Sequence, residues 1–326
     1  MKTSPIGVFC SGGDSPGMNA CIRAVVRTAA SYGLPTIGIR RGYAGLIEGD
    51  LHPLDSAAVG SIIGLGGTIL QSARSPEFKK PDGRALAAAN LRDYGIERLV
   101  CIGGDGSYAG ARQFLAEYPE FQIIGCPGTI DNDLYGTDYT IGYDTAINTA
   151  MWAIDRIRDT ADSHGRLFFI EVMGKDAGFI ALRAGIGGGA EAVLVPETPT
   201  DLDALIDTIR EVWGKRSQSV IVVVAEGDES GGAYEVARNL AEYFPGCDNK
   251  VSVIGHMQRG GSPTCLDRVL ASRLGAAAVD ALVEGRSGLA AGQLHREVAF
   301  VPFEEAIKHN QTLNAGLLRL VEVLRA

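Results

Sequence analysis

The chain has 326 residues, 46% of them hydrophobic, which fits one large or two medium domains with ample apolar material for their cores. Its net charge of −9 argues against nucleic acid as a partner, because phosphate backbones select for excess positive charge. The longest apolar stretches are only as long as strands, so we expect no membrane partner. The chain does not open with a basic region followed by an apolar region, as a signal peptide does, so we expect no export.

Short apolar runs alternate with longer amphipathic segments along the chain. The runs, rich in Val and Ile and apolar on both faces like buried parallel strands, occupy 6–10, 35–39, 98–104, 122–126, 166–174, 191–197, 219–227 and 250–256. Segments with helical periodicity occupy 19–33, 84–95, 143–161, 201–214, 233–244 and 267–285. This alternation predicts a doubly wound, Rossmann-like α/β fold, in which ligands bind at the carboxyl ends of the strands.

The number of strands favours two α/β domains, with the active site in the cleft between them. We predict a first domain of residues 1–141 plus 251–305, a second of 142–250 and a C-terminal helical segment of 306–326. The six cysteines form no CxxC pair, so we expect reduced thiols and a cytoplasmic location.

Glycine-rich turns follow three strands of the predicted first domain. The first strand runs into SGGDSPGMNA, where Gly12 and Gly13 allow backbone N–H groups to approach a phosphate at the start of a helix. The strand at 98–104 leads to Asp105 among glycines, and the strand at 122–126 leads to PGTIDND. We therefore expect three strand ends to converge on one crevice.

Carboxylates at such strand ends suit two tasks in phosphate chemistry, because they can bind Mg²⁺ or take the proton of an attacking hydroxyl. Asp105, beside the predicted phosphate loop, suits the metal, and Asp131, next to a hydroxyl residue, suits the base. Isolated cations near other strand ends suit a substrate phosphate. These cations are Arg74, Lys79, Arg166, Lys175, Lys250, His256 and Arg259.

Five segments together resemble the ordered motifs of bacterial 6-phosphofructokinases, from about residue 5 to about residue 285. They are SGGDSPGMNACIR, IGGDGSYAGA, PGTIDNDLYGTDYTIGYDTA, VMGKDAGFIAL and GHMQRGGSPTCLDRVLASRLGA. The resemblance implies an Mg²⁺-dependent transfer of the ATP γ-phosphoryl group to the 1-hydroxyl of fructose 6-phosphate. It also implies a homotetramer, an ATP-binding first domain and a sugar-phosphate-binding second domain.

Roles follow from the resemblance position by position. It implies that Asp131 is the general base and that Asp105 holds Mg²⁺, with Thr129, Asp133, Arg74 and Lys175 as further catalytic residues. The implied nucleotide contacts are Gly13, Tyr43, Arg74, Ser75, Gly104, Asp105, Gly106 and Ser107. The implied sugar-phosphate contacts are Thr129, Ile130, Asp131, Met173, Gly174, Lys175, Glu226, His256, Met257, Gln258 and Arg259, together with Arg166 and Lys250 from a neighbouring subunit.

Four positions bear on substrate choice. ATP users of the family resemble this chain at Gly106 and Gly128, where pyrophosphate users typically carry Asp and Lys, so we expect ATP as the donor. Lys175 and Lys250 stand where bacterial members commonly have arginine, which replaces a bidentate fork by a point charge. That difference leaves tagatose 6-phosphate and sedoheptulose 7-phosphate open as minor substrates.

An allosteric effector site is only partly matched. Arg23, Arg27, Arg158 and Glu191 resemble its residues. Ser56 and Ala57 replace an expected Arg–Tyr pair, and Ser217 stands near an expected lysine. Losing an arginine and a stacking ring weakens nucleotide binding, so we expect blunted regulation by ADP or phosphoenolpyruvate.

Two other functions fit parts of the pattern. A Rossmann oxidoreductase shares the order of strand, glycine turn and helix, but the GIGGGA segment at 185–190 precedes a strand instead of following one. A nucleotide-sensing paralogue without catalysis is disfavoured by the presence of Asp105, Thr129, Asp131 and Arg74.

Overall fold

The computed structural model describes residues 4–216, 219–247, 249–307 and 312–324. Its strands are β1 (Ile6–Ser11), β2 (Thr36–Ile39), β3 (Leu51–Pro53), β4 (Arg98–Gly103), β5 (Gln122–Pro127), β6 (Leu167–Val172), β7 (Ala192–Leu194), β8 (Val220–Ala225), β9 (Asn249–Val253), β10 (Leu289–Leu294) and β11 (Glu297–Pro302). Its α-helices are α1 (Met18–Ser31), α2 (Gly42–Glu48), α3 (Pro81–Asp93), α4 (Asp105–Glu117), α5 (Tyr143–His164), α6 (Phe179–Gly187), α7 (Leu202–Arg216), α8 (Ala233–Leu240), α9 (Cys265–Val283), α10 (Phe303–Ala306) and α11 (Ala315–Leu324). Short 3₁₀ turns lie at Ile62–Gly64, Glu77–Lys79, Ala241–Tyr243 and Gly255–Arg259.

These elements form two compact units, each with its own sheet. Unit 1 comprises Met1–Ile130, Leu134–Thr145 and Arg259–Asn310. Unit 2 comprises Asp131–Asp133, Ala146–Gln258 and Gln311–Ala326. Both units combine helices with parallel strands, which confirms the predicted α/β class.

The sheet of unit 1 has seven strands in the order β11-β10-β5-β4-β1-β2-β3. The strands from β10 to β2 run parallel, and the two edge strands β11 and β3 run antiparallel to their neighbours. The chain moves outward from β1 to β2 and then returns to the other side of β1 with β4. Such a reversal of strand order is where open α/β sheets bind ligands.

Alternating side chains of β1 enter two different cores, which explains why its sequence is apolar throughout. Ile6, Val8 and Cys10 belong to a core with α1 and α9, whereas Phe9 belongs to a core with α2, α3 and α4. Helices therefore cover both faces of this sheet, as the doubly wound pattern predicts.

The sheet of unit 2 has four parallel strands in the order β7-β8-β6-β9. Its register sets Val172, the last residue of β6, beside Ala225, the last residue of β8. Leu167 and Phe169 on one face of β6 pack in a core that includes residues of α7 and α8.

The limits of the units differ from the predicted domain limits at the return of the chain. We predict the return at 250/251, yet β9 pairs with β6 in the second sheet, and unit 1 resumes only at Arg259. In addition, α11 packs on α6 and β7 within unit 2. Periodicity identifies a strand but not the sheet that it joins, which explains the difference.

All six cysteines carry free thiols. Burial raises the pKa of the Cys10 thiol to about 12, so this residue behaves as a small hydrophobic side chain and not as a nucleophile. Among the described residues, no helix combines the length and the apolar character that crossing a membrane requires.

Candidate active site

Three adjacent strand ends of unit 1 lie at the same level of the sheet. Ser11 of β1 is the register partner of Gly103 of β4, which is in turn the partner of Pro127 of β5. Ser107 Oγ donates a hydrogen bond to the Ser11 carbonyl at 3.0 Å, which ties the start of α4 to the end of β1. The glycine turns predicted to converge therefore do so.

The start of α4 is open toward solvent and suited to an anion. Gly104 precedes the helix, the half-buried Asp105 is its first residue, and Gly106 is exposed. A Cβ built on Gly106 meets no heavy atom within 4 Å. The backbone N–H groups and the helix dipole at the start of a helix favour a phosphate.

The surroundings of Asp105 suit a magnesium ion. Among the described residues no three His, Cys, Asp or Glu side chains form a metal cluster. Mg²⁺ does not need one, because it typically takes one or two protein carboxylates and completes its shell with substrate phosphates and water. A single carboxylate in front of an open helix end fits that requirement.

Tyr43 supports α4 from the buried side. Its hydroxyl donates to the Ser107 carbonyl at 2.6 Å, and its ring stacks on Phe78 with centroids 3.9 Å apart. Only 6% of Tyr43 is exposed. Arg84 fixes Phe78 in turn, since its Nη1 donates to the Phe78 carbonyl at 2.9 Å while the guanidinium binds Glu117 in a bidentate pair. That pair lowers the pKa of Glu117.

The segment before α3 carries two predicted nucleotide contacts. Ser72 Oγ donates to the Gly12 carbonyl at 2.8 Å and so joins this segment to the turn after β1. Arg74 is exposed, and Ser75 Oγ accepts a hydrogen bond from the Phe78 backbone N–H at 3.4 Å. The arginine is therefore anchored through its neighbours while its own side chain reaches solvent.

The segment that follows β5 carries the predicted base. Thr129, Ile130, Asp131 and Asp133 are all buried. Thr129 lies against the start of α4, because a Cβ built on Gly104 is 3.6 Å from Thr129 Cβ. Within unit 1, Thr129 therefore lies next to Gly104, the residue that precedes Asp105.

Arg259 lies at the turn after β1. Its Nη1 donates to the Asp14 carbonyl at 3.1 Å and is 2.8 Å from a Cβ built on Gly13. The resemblance implies Arg259 as a sugar-phosphate contact, and the structure brings it together with Gly13, an implied nucleotide contact.

The predicted sugar-phosphate contacts of unit 2 assemble at the carboxyl ends of β6 and β8. The Lys175 backbone N–H donates to Glu226 Oε1 at 2.8 Å, and the Met173 N–H donates to Gln258 Oε1 at 2.8 Å. Lys175 has a φ of 56°, a left-handed conformation that few residues other than glycine adopt. These two bonds join Met173 to Gln258 and Lys175 to Glu226. With their neighbours in the chain they form the Met173 cluster: Met173, Gly174, Lys175, Glu226, His256, Met257 and Gln258.

Arg166 and Lys250 lie at the opposite end of the same sheet. Arg166 immediately precedes β6, and Lys250 of β9 is the register partner of Phe168, the second residue of β6. The six residues of β6 separate Arg166 from Met173, which places them roughly 20 Å apart at the rise of a strand. The two cations are therefore not part of the Met173 cluster of their own chain.

The residues that resemble an effector site fall in both units. In unit 2, Arg158 Nη2 donates to the Gly188 carbonyl at 2.8 Å, and its Nη1 is 3.6 Å from Glu191 Oε1. In unit 1, Arg23 and Arg27 lie on α1, and Ser56 and Ala57 are exposed. Ser217 lies outside the described residues.

Sequence reasoning missed one buried carboxylate near the candidate active site. This residue is Asp267 of α9, which is 0% exposed. Thr264 Oγ1 accepts the Asp267 N–H at 3.3 Å, so the two form the start of a capped helix. The spacing Thr-x-x-Asp just before an amphipathic segment is a capping signal that could have pointed to these residues.

The chain matches the family model described as Phosphofructokinase over residues 5–282. It is 56% identical over 319 residues to the ATP-dependent 6-phosphofructokinase 1 of Thermus thermophilus, covering 98% of each chain. It is also 52% identical over 319 residues to the ATP-dependent 6-phosphofructokinase 2 of Bacteroides thetaiotaomicron, again covering 98% of each.

Solved structures share the fold. The phosphofructokinase of Saccharomyces cerevisiae superposes with a TM-score of 0.89 at 35% identity, over 99% of this chain and about half of that longer one, 48%. A pyrophosphate-dependent phosphofructokinase of Marinobacter aquaeolei superposes with a TM-score of 0.84 over 99% of this chain and 92% of that one. At 20% identity this second likeness bears on the fold alone.

Proposed function

The chain belongs to the phosphofructokinase family, and from this premise we propose how its own residues divide the work of the reaction. The protein acts as an ATP-dependent 6-phosphofructokinase, a kinase of glycolysis that uses ATP to phosphorylate fructose 6-phosphate. The single observation that carries the proposed site is the alignment of Ser11, Gly103 and Pro127 in register. This alignment places the turns after β1, β4 and β5 side by side at the carboxyl ends of the strands.

We propose that the turn after β1 and the start of α4 bind the triphosphate. Backbone N–H groups of Gly13, Gly104 and Gly106 would face the phosphates, and Asp105 would hold Mg²⁺. When bound, Mg²⁺ neutralises charge on the phosphate oxygens of the donor. Arg74, exposed and anchored through Ser72 and Ser75, adds a guanidinium for the charge that spreads over the transferring group.

We propose Asp131 as the general base that takes the proton of the 1-hydroxyl as it attacks the γ-phosphorus. Thr129 and Asp133 orient the acceptor beside it. The burial of Asp131 and its position two residues after Thr129 support this role, because a base works best where water is excluded and the reactants are fixed. Phosphoryl transfer depends on such positioning more than on covalent chemistry.

The sugar phosphate is proposed to bind the cluster around Met173 and Lys175 in unit 2. Arg166 and Lys250 are proposed to reach the sugar phosphate of a neighbouring subunit in a homotetramer. Their separation from the Met173 cluster along the same sheet supports that assignment. A cytoplasmic location likewise stays a prediction.

A donor-by-acceptor activity matrix on the purified protein tests the proposal. ATP or pyrophosphate is combined with fructose 6-phosphate, tagatose 6-phosphate or sedoheptulose 7-phosphate, and initial rates of product formation are measured. We expect ATP with fructose 6-phosphate to give the highest kcat/KM and pyrophosphate to give little turnover. Comparable rates with the two donors would contradict the proposed donor site.

Regulation by ADP or phosphoenolpyruvate is expected to be weak. The loop at 55–58 offers neither a guanidinium nor an aromatic ring, and Asp55 Oδ1 already accepts the Ala57 and Ala58 backbone N–H groups at 3.0 and 2.8 Å. A carboxylate in that place disfavours a further anion. Initial rates at subsaturating fructose 6-phosphate should change little with either effector. Strong sigmoidality that ADP relieves is the contrary result.

A further inference from the structure

The buried carboxylate of Asp267 caps a helix other than its own. Its Oδ1 accepts the Gly142 backbone N–H at 2.9 Å, and its Oδ2 accepts the Thr145 N–H at 2.8 Å and the Thr145 hydroxyl at 2.5 Å. These two N–H groups belong to the start of α5, whose first donors have no partner within the helix. A negative charge there is stabilising.

The start of α9 is capped from α5 in return. Thr264 Oγ1 donates to Asp144 Oδ2 at 2.7 Å, and the Thr264 backbone N–H donates to Thr145 Oγ1 at 3.0 Å. Burial raises the pKa of the Asp267 carboxyl, while the hydrogen bonds from Thr145 and Gly142 lower it. The starts of α5 and α9 therefore stabilise each other through reciprocal hydrogen bonds.

The residues just before α5 form hydrogen bonds with the segment that leads to the proposed base, Asp131. Thr140 Oγ1 donates to the Thr129 carbonyl at 2.6 Å, and the Ile141 N–H donates to the Pro127 carbonyl at 2.7 Å. Gly128 and Ile141 also form an isolated parallel bridge. The backbone of 127–129, from which the chain continues to Asp131, is thus held by 140–141.

The same residues pack tightly on the turn after β1. Gly17 has a φ of 109°, and a Cβ there would be 2.8 Å from Ile141 Cγ2. Gly142 has a φ of 105°, and a Cβ there would be 2.6 Å from Ser15 Cβ. Neither glycine leaves room for a side chain, so the phosphate turn and the base segment are both fixed against 141–142.

We propose that Asp267 is a positioning residue for phosphoryl transfer, which sets the base segment through Gly142 and Thr140 and the phosphate turn through its contact with 141–142. It touches neither substrate. The inference rests on the proposed role of Asp131 and extends it to a residue outside the predicted site.

The test is the kinetics of Asp267→Asn. An asparagine keeps the shape but turns an N–H donor toward groups that also donate, so residues 140–145 shift. Because a displacement of about 1 Å can cost about 100-fold in rate, we expect kcat to fall roughly 10- to 100-fold. The KM values for ATP and fructose 6-phosphate should change less than about threefold. Asp280→Asn on the same helix, where the carboxylate accepts the exposed Tyr32 hydroxyl, is the matched control and should retain kcat.

A merely structural role predicts a different result. Leu274→Ala removes a fully buried side chain of the same helix and lowers the melting temperature without touching these hydrogen bonds. If Leu274→Ala lowers kcat as much as Asp267→Asn at a temperature where both are folded, the proposal is wrong. An unchanged kcat in Asp267→Asn overturns it as well.

Thr140 supplies a second test that remains usable if Asp267→Asn does not fold. Thr140→Val removes the donor to the Thr129 carbonyl and should lower kcat in the same way, whereas Thr140→Ser should restore it. Equal kcat in the two variants would contradict the proposal. If Asp131→Asn itself keeps kcat, the proposed base fails; if only the Asp267 and Thr140 variants keep it, this inference alone fails.

Discussion

Replacing Asp131 with asparagine is expected to lower kcat by roughly 100- to 10,000-fold, the usual contribution of a positioned general base. Asparagine has nearly the same size as aspartate, so it fills the same buried space while losing the ability to take a proton. The KM for fructose 6-phosphate and the melting temperature should change little. Steady-state kinetics and thermal unfolding of the purified variant measure both.

Asp138→Asn provides the matched control for that variant. Asp138 lies seven residues further on, and its Oδ2 accepts the His295 backbone N–H at 2.8 Å in the turn between β10 and β11. The same chemical change there should leave kcat within a few-fold of the wild-type value. A near-normal kcat in Asp131→Asn, or an equal loss in Asp138→Asn, would remove Asp131 from the mechanism.

Gly106→Asp is expected to reduce ATP turnover by about 100-fold or more. The new carboxylate would extend into the open space before α4, where the triphosphate is proposed to bind. Two unit charges about 4 Å apart repel by about 4 kcal/mol at an effective dielectric constant of about 20, and each 1.4 kcal/mol is about tenfold. The kcat/KM for ATP at saturating fructose 6-phosphate is the quantity to measure.

Gly106→Ala separates the charge from the loss of a glycine. A Cβ at this position meets nothing within 4 Å, and alanine favours a helix, so the variant should fold and keep most of its ATP turnover. Gly128→Lys is a poorer probe, because a Cβ there is 2.9 Å from both Ile102 Cγ2 and Met18 Cε. If Gly106→Asp turns over ATP as well as Gly106→Ala does, the proposed phosphate site is wrong.

The parts of this fold that the sequence predicts are those set by local patterns. Buried parallel strands are apolar on both faces and glycine turns mark their ends, so the alignment of the turns after β1, β4 and β5 follows from the α/β pattern alone. The sheet that β9 joins does not follow, because its sequence would suit either sheet. That is why the predicted return of the chain falls inside a strand of unit 2.

Residue roles divide along the same line. Asp105 lies two residues after the end of β4 and Asp131 four residues after the end of β5, where their types and neighbours indicate chemistry. Asp267 stands within a helix, and its capping signal says nothing about its contacts with Gly142 and Thr145, more than 120 residues earlier in the chain. Such long-range hydrogen bonds depend on the packing of α9 against the start of α5, which no local pattern encodes.

The most direct test of the account is the fate of the γ-phosphoryl group itself. Purified protein, Mg²⁺, fructose 6-phosphate and ATP labelled in the γ-phosphoryl group are mixed, and the labelled product is identified by phosphorus NMR. The account predicts fructose 1,6-bisphosphate with the label on the 1-oxygen, at a rate equal to that of ADP release. Label recovered as inorganic phosphate, or on another hydroxyl of the sugar, would contradict it.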